Sequence, residues 1–319
     1  MRRRSHLVSA SLYSRAMSSA LVLLNPHANG GRTLLLERDI RAFLRTEYPG
    51  ARFVVTETIR AALALIRDTP VDHRVILVGG DGTINRMLPA LGSSGRELGI
   101  VPLGTGNDVA KALGIHGLAW KVALIHALTS TTIAADVGLL TMDGRDTPFL
   151  SSCTSGFDSA VALRALKGPT WLRGMPRYLL ATLRELVHLR LWQLTVHVDG
   201  KPLRGGAALF ASILNTPTFG SGIPAVPHAR INDGALDLLI AGRFNRLTAL
   251  LMLPRLLVGR HLSDARIYTA PFSELAIHAV PPVPMAVDGE YLGEANEVTL
   301  RVLPAALRVV ARMANKANH

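Results

Sequence analysis

The first 130 residues alternate between two hydrophobic periods. Runs of mostly β-prone residues at Ala20–Leu24, Arg52–Thr56, Val75–Val78 and Leu98–Pro102 read as buried strands. Between them lie helical patterns: Thr33–Tyr48, with Leu36, Ile40, Phe43 and Leu44 on one face, then Ala61–Arg67, the strand–turn–helix Val75–Leu91, and a short helix ending at Leu113. Such alternation predicts an α/β domain, a parallel sheet with flanking helices, whose ligands sit beyond the carboxyl ends of the strands.

From about Asp136 the pattern changes to short β-rich runs: Thr131–Leu140, Phe149–Cys153, Gln193–Val198, Lys201–Leu214, Leu236–Ala241, Arg266–Ala270, Glu274–Ala279, Met285–Val287 and Val298–Val302. Turn signals such as Asp199-Gly200 and Asp288-Gly289 separate several of them. This predicts a mostly antiparallel β-sandwich second domain with inserted helices at Arg177–Leu189 and Arg246–Leu257. The expected division is a basic, disordered tail at 1–17, an α/β domain at 18–135 and a β-rich domain at 136–303, with 304–319 packing back on the first. No internal repeat or low-complexity linker interrupts this order.

At 319 residues and 49% hydrophobic content the chain can bury a large core. Its longest apolar stretches, Tyr178–Trp192 and Leu247–Val258, are broken by charged residues or Pro254, so no transmembrane helix is expected. The single Cys153 excludes an internal disulfide and a multi-cysteine zinc site, in keeping with a reducing cytosol. A formal charge of +12 and a pI near 10.7 call for an anionic partner. Aromatics are only 5%, too few for the interleaved stacking of a single-strand binder, so acidic lipid and nucleotide rank above nucleic acid.

Before Glu37 there is no acidic residue, and Met1–Ala16 carries Arg2, Arg3, Arg4 and Arg15 among serines. This segment reads either as a targeting or lipid-touching arm or as a disordered tail with Met17 as the true start. The apolar core Leu21–Leu24 is too short for a secretory signal and leads into a glycine loop.

Three strand-end loops carry candidate chemistry: Asn25–Gly31, Gly79–Asn85 and Leu103–Asp108. Glycines without Cβ atoms and a following helix start suit phosphate oxygens. Each loop alone is most often an ordinary connection; it is their joint occurrence that points to a nucleotide. Asp81 beside phosphates requires an intervening cation or hydroxyl donor, and Mg²⁺ is the economical explanation. The P-loop pattern is missing, and Gly220-x-Gly222-x-x-Ala225 contains Pro224 with no helix pattern after it, so it is read as a loop. Downstream, the Asp233-Gly234 turn offers a carboxylate and main-chain oxygens suited to Mg²⁺. In Asp288-Gly289-Glu290, a second acid after the turn could accept a hydroxyl proton. Both Asp-Gly pairs also read simply as turns.

Five ordered motifs, Asn25–Gly31, Gly79–Asn85, Pro102–Asp108, Pro227–Asp237 and Asp288–Glu290, together resemble the diacylglycerol kinase catalytic family, and within it the compact bacterial lipid kinases related to sphingosine kinases. The resemblance runs from about Ala20 to beyond Glu290 and implies an NAD-kinase-like first domain, a β-sandwich second domain and an active site between them. The activity it implies is ATP-dependent phosphorylation of a lipid hydroxyl. The family's nucleotide contacts fall on Asn25, Pro26, His27, Ala28 and Asn29, on Thr56 (or Thr58), on Gly79, Gly80, Asp81, Gly82, Thr83, Ile84 and Asn85, and on Thr105. Its Mg²⁺ site falls on Arg230 and Ala235 through main-chain oxygens and on the Asp233 carboxylate, and its proton acceptor on Glu290. The chain departs from the family at Arg86, where Glu is common.

A cytoplasmic, peripherally membrane-associated enzyme is expected, meeting its lipid at an anionic membrane surface, with a homodimer compatible with this reading. Around Arg177 a helical step places Arg173, Arg177, Arg184 and His188 on one stripe opposite Leu179, Leu180, Leu183, Leu186 and Val187. That basic stripe is either a solvated helix face or a contact for anionic headgroups. The alternatives are a NAD kinase, which shares Gly-Gly-Asp-Gly, and a catalytically silent nucleotide-sensing or membrane-binding module.

Overall fold

The computed structural model describes residues 19–312 except 93, 170 and 173, so the basic tail and Arg173 lie outside the described residues. The chain forms two compact units. The first comprises 19–104, Leu113–Ala134 and 307–312; the second comprises Thr105–Ala112 and Ala135–Ala306.

In the first unit, strands β1 (Ala20–Leu24), β2 (Ala51–Val55), β3 (Arg74–Gly79) and β4 (Glu97–Pro102) run parallel in the order β2-β1-β3-β4. All five residues of β1 are buried because strands flank it on both edges and helices cover its faces. The expected helix at Thr33–Tyr48 is two elements. Left-handed Asn29, Gly30 and Gly31 (φ 51°, 62° and 86°) open a 3₁₀ segment at Ala28–Leu36, and α1 (Glu37–Glu47) follows. Helices α2 (Ile59–Asp68) and α3 (Asp81–Leu91) follow β2 and β3.

The short α4 (Asp108–Ala112) belongs to the second unit, and α5 (Trp120–Thr129) returns to the first. The end of the chain also joins the first unit, pairing Arg308 with Glu97 in parallel. There Glu97 receives Arg74 and Arg308 (2.9 Å), while Arg74 also donates to the Ala127 and Ser130 carbonyls that end α5. Burial alone would raise the Glu97 carboxyl, but the two guanidiniums bring it below its usual value.

The chain enters the second unit through β5 (Thr132–Met142), which pairs with β6 (Arg145–Phe149). Beyond it come β7 (Ser152–Ser155), α6 (Phe157–Leu166), α7 (Met175–Val187), β8 (Trp192–Val198), β9 (Lys201–Ala208), β10 (Phe210–Leu214) and β11 (Leu236–Ala241). The chain continues through α8 (Arg246–Leu257), β12 (Ile267–Phe272), β13 (Glu274–Val287) and β14 (Glu290–Val310).

The path β12-β11-β10-β7-β13-β14 is antiparallel throughout, with β8 and β9 added to β13. Three hairpins of the second unit, β5–β6, β8–β9 and β13–β14, turn on Asp-Gly pairs with both residues left-handed: Asp143-Gly144, Asp199-Gly200 and Asp288-Gly289. This is the turn whose twist matches paired strands. Around Trp192, Phe149 and Met285 the unit buries its own core.

Asp158, in the first turn of α6, accepts a hydrogen bond from Ser212 Oγ (2.7 Å). Burial lifts its carboxyl to about 7 despite that bond. Between about pH 4 and 7 the folded chain therefore keeps a proton that the unfolded chain has released, and stability falls as pH rises through that window. Asp158→Asn should flatten this slope and stabilise the protein at pH 8 by on the order of 2 kcal/mol, a value discounted for the residue's remaining solvent contact. Urea unfolding of both proteins across pH 4–8 measures it; parallel curves would contradict the assignment.

Candidate active site

The parallel register sets the candidate nucleotide residues of the first unit on one edge. Leu24 is level with Val55 and Val78, and Gly79 with Pro102, so Asn25, Thr56, Gly80 and Leu103 all leave their strands at the carboxyl end. Backbone bonds tie these exits together: Asn25 N–H donates to the Val78 carbonyl (3.1 Å), Thr56 N–H to Leu24 (3.0 Å) and Leu103 N–H to Gly79 (2.8 Å). Asn25 Nδ2 also donates to Thr83 Oγ1 (2.8 Å), joining the loop after β1 to the first turn of α3, while Asn25 Oδ1 receives the His27 N–H (3.0 Å).

Gly79 has a steric reason. A Cβ there would stand 2.4 Å from Thr83 Oγ1. Gly82 has none, because a Cβ built on it meets no protein atom within 4 Å. Asp81 is the first residue of α3, and Ile84 is buried in its packing face. Arg86, where the chain departs from the resembled pattern, is exposed. Of the two threonines weighed for nucleotide contact, Thr58 is engaged as the N-cap of α2, accepting the Ala61 N–H (3.2 Å). Thr56 lies at the strand exit with the other candidates.

Thr105 needs a correction of place. The sequence pattern assigns it to the first unit, but Thr105–Ala112 packs with the second. The cause is Asp108, whose buried carboxylate accepts Thr218 Oγ1 (2.7 Å), the Ser221 N–H (3.0 Å) and Lys111 Nζ (3.1 Å). Gly222 nearby is left-handed at φ 105°, a conformation that favours glycine.

In the second unit the Asp233-Gly234 turn precedes β11. Asp233 is exposed, its Oδ1 receives the Ala235 N–H (3.2 Å), and Gly234 is left-handed at φ 81°. The residue that shapes this turn is Asp136, which sequence reasoning missed. It is buried in β5, accepts the N–H groups of Gly234 (2.7 Å) and Ala305 (2.8 Å), and donates its own N–H to the Ile231 carbonyl (2.7 Å). One acid inside an apolar run was the available signal.

Nearby Asp237 is raised above the ordinary carboxyl range. Burial is the main cause, opposed by His228 at 3.6 Å and reinforced by the charge of Asp233. Among the described residues no group of three His, Cys, Asp or Glu side chains could hold a metal. The expected donor set, the Asp233 carboxylate with main-chain oxygens of Arg230 and Ala235, is oxygen-only, the chemistry of a hard cation that keeps several waters.

Asp288 and Glu290 divide their roles. The Asp288 carboxylate accepts three backbone N–H groups, from Leu150 (3.0 Å), Ser151 (2.9 Å) and Ser152 (2.8 Å), which commits it to fixing the β13–β14 hairpin. Glu290 begins β14 and is partly exposed. Tyr178 on α7 is a second residue missed from sequence. A Cβ on Gly289 would lie 3.4 Å from its hydroxyl, and one on Gly220 would lie 3.8 Å from its ring, so the phenol stands between both glycine turns. Cys153, behind the hairpin, is fully buried, and burial together with Asp288 pushes its thiol far above the ordinary value, so it is no nucleophile.

Comparison with known proteins agrees with these two halves. Residues 19–140 match the diacylglycerol kinase catalytic domain, and residues 151–311 match the YegS C-terminal NAD kinase beta sandwich-like domain. The chain belongs to the diacylglycerol kinase catalytic family. It is 30% identical over 74% of its length to a diacylglycerol kinase of Mycobacterium tuberculosis, of which it covers 76%. To the lipid kinase YegS of Escherichia coli (strain K12) it is 32% identical over 73% of its length, covering 76% of that protein.

Two solved structures show the fold. A diacylglycerol kinase from Bacillus anthracis str. Sterne has a TM-score of 0.69 at 17% identity, covering 93% of this chain and 97% of that one. An NAD kinase from Archaeoglobus fulgidus in complex with ATP has a TM-score of 0.55 at 12% identity, covering 93% and 94%. The fold is accordingly the NAD-kinase-like α/β arrangement with an antiparallel sandwich-like second half, as the hydrophobic pattern and the motifs implied.

Proposed function

We propose that this lipid kinase family member transfers the γ-phosphoryl group of ATP to the hydroxyl of a diacylglycerol-like lipid in the presence of Mg²⁺. The observation that carries the proposal is the pair of motif sets, each held in place within its own unit: strand-end loops on one edge of the parallel sheet, and the Asp233 and Glu290 turns of the β-rich unit, fixed by Asp136 and Asp288.

In this reading the loops Asn25–Asn29 and Gly79–Asn85, with Thr56 and Thr105, receive the nucleotide. Backbone N–H groups at the start of α3 face its phosphates. Arg230 and Ala235 through main-chain oxygens, and Asp233 through its carboxylate, hold Mg²⁺, which when bound neutralises charge on the phosphates. Glu290 accepts the proton of the attacking lipid hydroxyl as its oxygen bonds to phosphorus and ADP leaves. Asp288 positions Glu290 through the hairpin, without touching substrate itself.

The lipid is identified by incubating the purified protein with γ-labelled ATP and a panel of diacylglycerol, phosphatidylglycerol, a sphingoid base and a polyprenol, then separating the products by thin-layer chromatography. A labelled product from diacylglycerol or a close analogue is expected. Folded protein that labels none of the four lipids contradicts the proposal.

Gly82 provides a test of the nucleotide loop. Because the protein leaves its Cβ direction open, Gly82→Ala should keep stability within about 1 kcal/mol of wild type. It should nonetheless weaken ATP binding about tenfold or more if phosphate fills that space. Isothermal titration beside thermal unfolding reads both quantities, and unchanged affinity would remove the loop from the nucleotide site.

A further inference from the structure

Most of the exposed large apolar side chains of the β-rich unit gather on two helices that pack on each other, α7 and α8, with Leu166, Trp171 and Val280 lying off them. On α8, Leu247 (64% exposed), Leu250 (45%) and Leu251 (63%) continue through Pro254 to Leu257 and Val258 (65%). Steps of three and four residues put them on a single stripe. Ala249 is the buried residue of this helix, whose start is secured by the reciprocal Asn245–Thr248 capping box. The helix thus turns its apolar face outward. On α7, Leu179, Leu183 and Val187 form a second exposed line at steps of four.

The rim of this face is cationic. Arg246 and Arg255 flank the α8 stripe, and α8 contains no acidic residue. The one acid of α7, Glu185, is buried and bonded to Arg164 Nε (2.6 Å). Arg190, Arg243, Arg246 and Arg266 line one open groove with Leu247. Arg266 is paired with Asp264 there, and Arg190 lies over the Trp192 ring. Arg243 and Arg246 have no ion-pair partner among the described residues.

From this arrangement we infer that α8, with the adjoining line of α7, is a membrane-docking element that lies in the plane of an anionic bilayer surface. The leucines enter the acyl boundary while Arg243 and Arg246 reach the headgroup phosphates along their aliphatic stems; Arg255 is held at the rim by Asp264 (3.6 Å) and Ser263 (2.9 Å). A twelve-residue helix is too short to cross, and among the described residues no helix is long and apolar enough to do so. A second copy of the chain is a poor occupant, because each copy carries +12 and an arginine rim would face another. The inference rests on the lipid kinase reading for its choice of surface, but vesicle binding tests it without catalysis.

Full-length protein is sedimented with vesicles of phosphatidylglycerol and phosphatidylcholine, and with pure phosphatidylcholine. Wild type should bind the anionic vesicles and lose that binding in high salt. Leu247→Glu with Leu251→Glu should lower the partition coefficient about tenfold or more. Arg243→Ala with Arg246→Ala should lower it about fivefold per arginine on anionic vesicles only.

Wild type that fails to bind, or variants that bind as wild type does, would overturn the inference. So would a wild-type dimer in size-exclusion chromatography that the leucine variant dissociates, since a second copy would then cover this face. Phosphorylation of diacylglycerol in detergent micelles by the same leucine variant separates the two claims. Retained micelle activity with lost vesicle binding supports both, whereas wild type that labels micellar lipid yet ignores vesicles removes only the docking surface.

Discussion

Glu290→Gln is expected to lower turnover about 10²–10⁴-fold while leaving ATP affinity and unfolding temperature near wild type. The reasoning is local. Glu290 starts β14 directly after the left-handed Asp288-Gly289 turn, which Asp288 anchors by accepting three backbone N–H groups. Glutamine keeps the shape and loses the capacity to accept a proton. Asp288→Ala should behave differently. It leaves three N–H groups without their acceptor and is expected to destabilise the protein by about 2–4 kcal/mol, with activity falling in step with folding. Steady-state kinetics beside urea unfolding separates the two outcomes, and loss of ATP binding in Glu290→Gln would take Glu290 out of the proton-acceptor role.

The second large effect is expected at the Asp233 turn. Asp233→Asn should lower kcat by about 10²-fold or more at ordinary Mg²⁺ and recover part of it as Mg²⁺ rises, because a neutral amide oxygen is a weaker ligand for a hard cation. Stability should hardly change, since Asp233 is exposed and its Oδ1 receives a single long bond from Ala235. Asp136→Ala makes the contrast. Its two buried carboxylate bonds, to Gly234 and Ala305, shape the same turn from inside, so that variant should cost about 2–4 kcal/mol of stability as well as activity. Mg²⁺ titrations of initial rate, read beside unfolding curves, test the pair. An Asp233→Asn enzyme with unaltered Mg²⁺ dependence would place the cation elsewhere.

Much of the fold was legible because burial on both faces writes continuous apolar runs. The four parallel strands of the first unit, the Asp-Gly hairpins and the helix Arg246–Leu257 follow directly from such local signals. What escaped depended on distant partners. Helices α5 and α6 give little amphipathic signal because apolar residues surround them, and neither was expected. The expected strands Glu274–Ala279 and Met285–Val287 are one, although Pro281, Pro282 and Pro284 lie between Ala279 and Met285. β13 runs through them, with a register shift between His278 and Val283 that absorbs the missing donors. Conversely, the expected strand Lys201–Leu214 is divided between β9 and β10, and Phe149–Cys153 between β6 and β7.

The same division holds for the candidate site. Glycine loops at strand ends are visible in sequence because their backbone requirements are local. Asp136 and Tyr178 are not, nor is the anchoring role of Asp108 at the end of its loop, because these roles consist of bonds or close approaches to segments far along the chain. The helix that became α7 shows the limit most plainly. The apolar stripe read opposite the arginines is not one buried face: Leu179, Leu183 and Val187 are exposed beside Arg184, whereas Ala181, Glu185 and Leu186 are buried. Amphipathic pattern alone does not say which side finds a partner.

The central claim, that a lipid hydroxyl is the acceptor, is tested most directly by offering diacylglycerol in mixed micelles and NAD together to the purified protein with γ-labelled ATP and Mg²⁺, then partitioning the label between organic and aqueous phases. The account predicts organic-phase label from wild type that Glu290→Gln reduces about 10²-fold or more, with no labelled NADP. Label confined to NADP, or organic-phase label undiminished in Glu290→Gln, would contradict it.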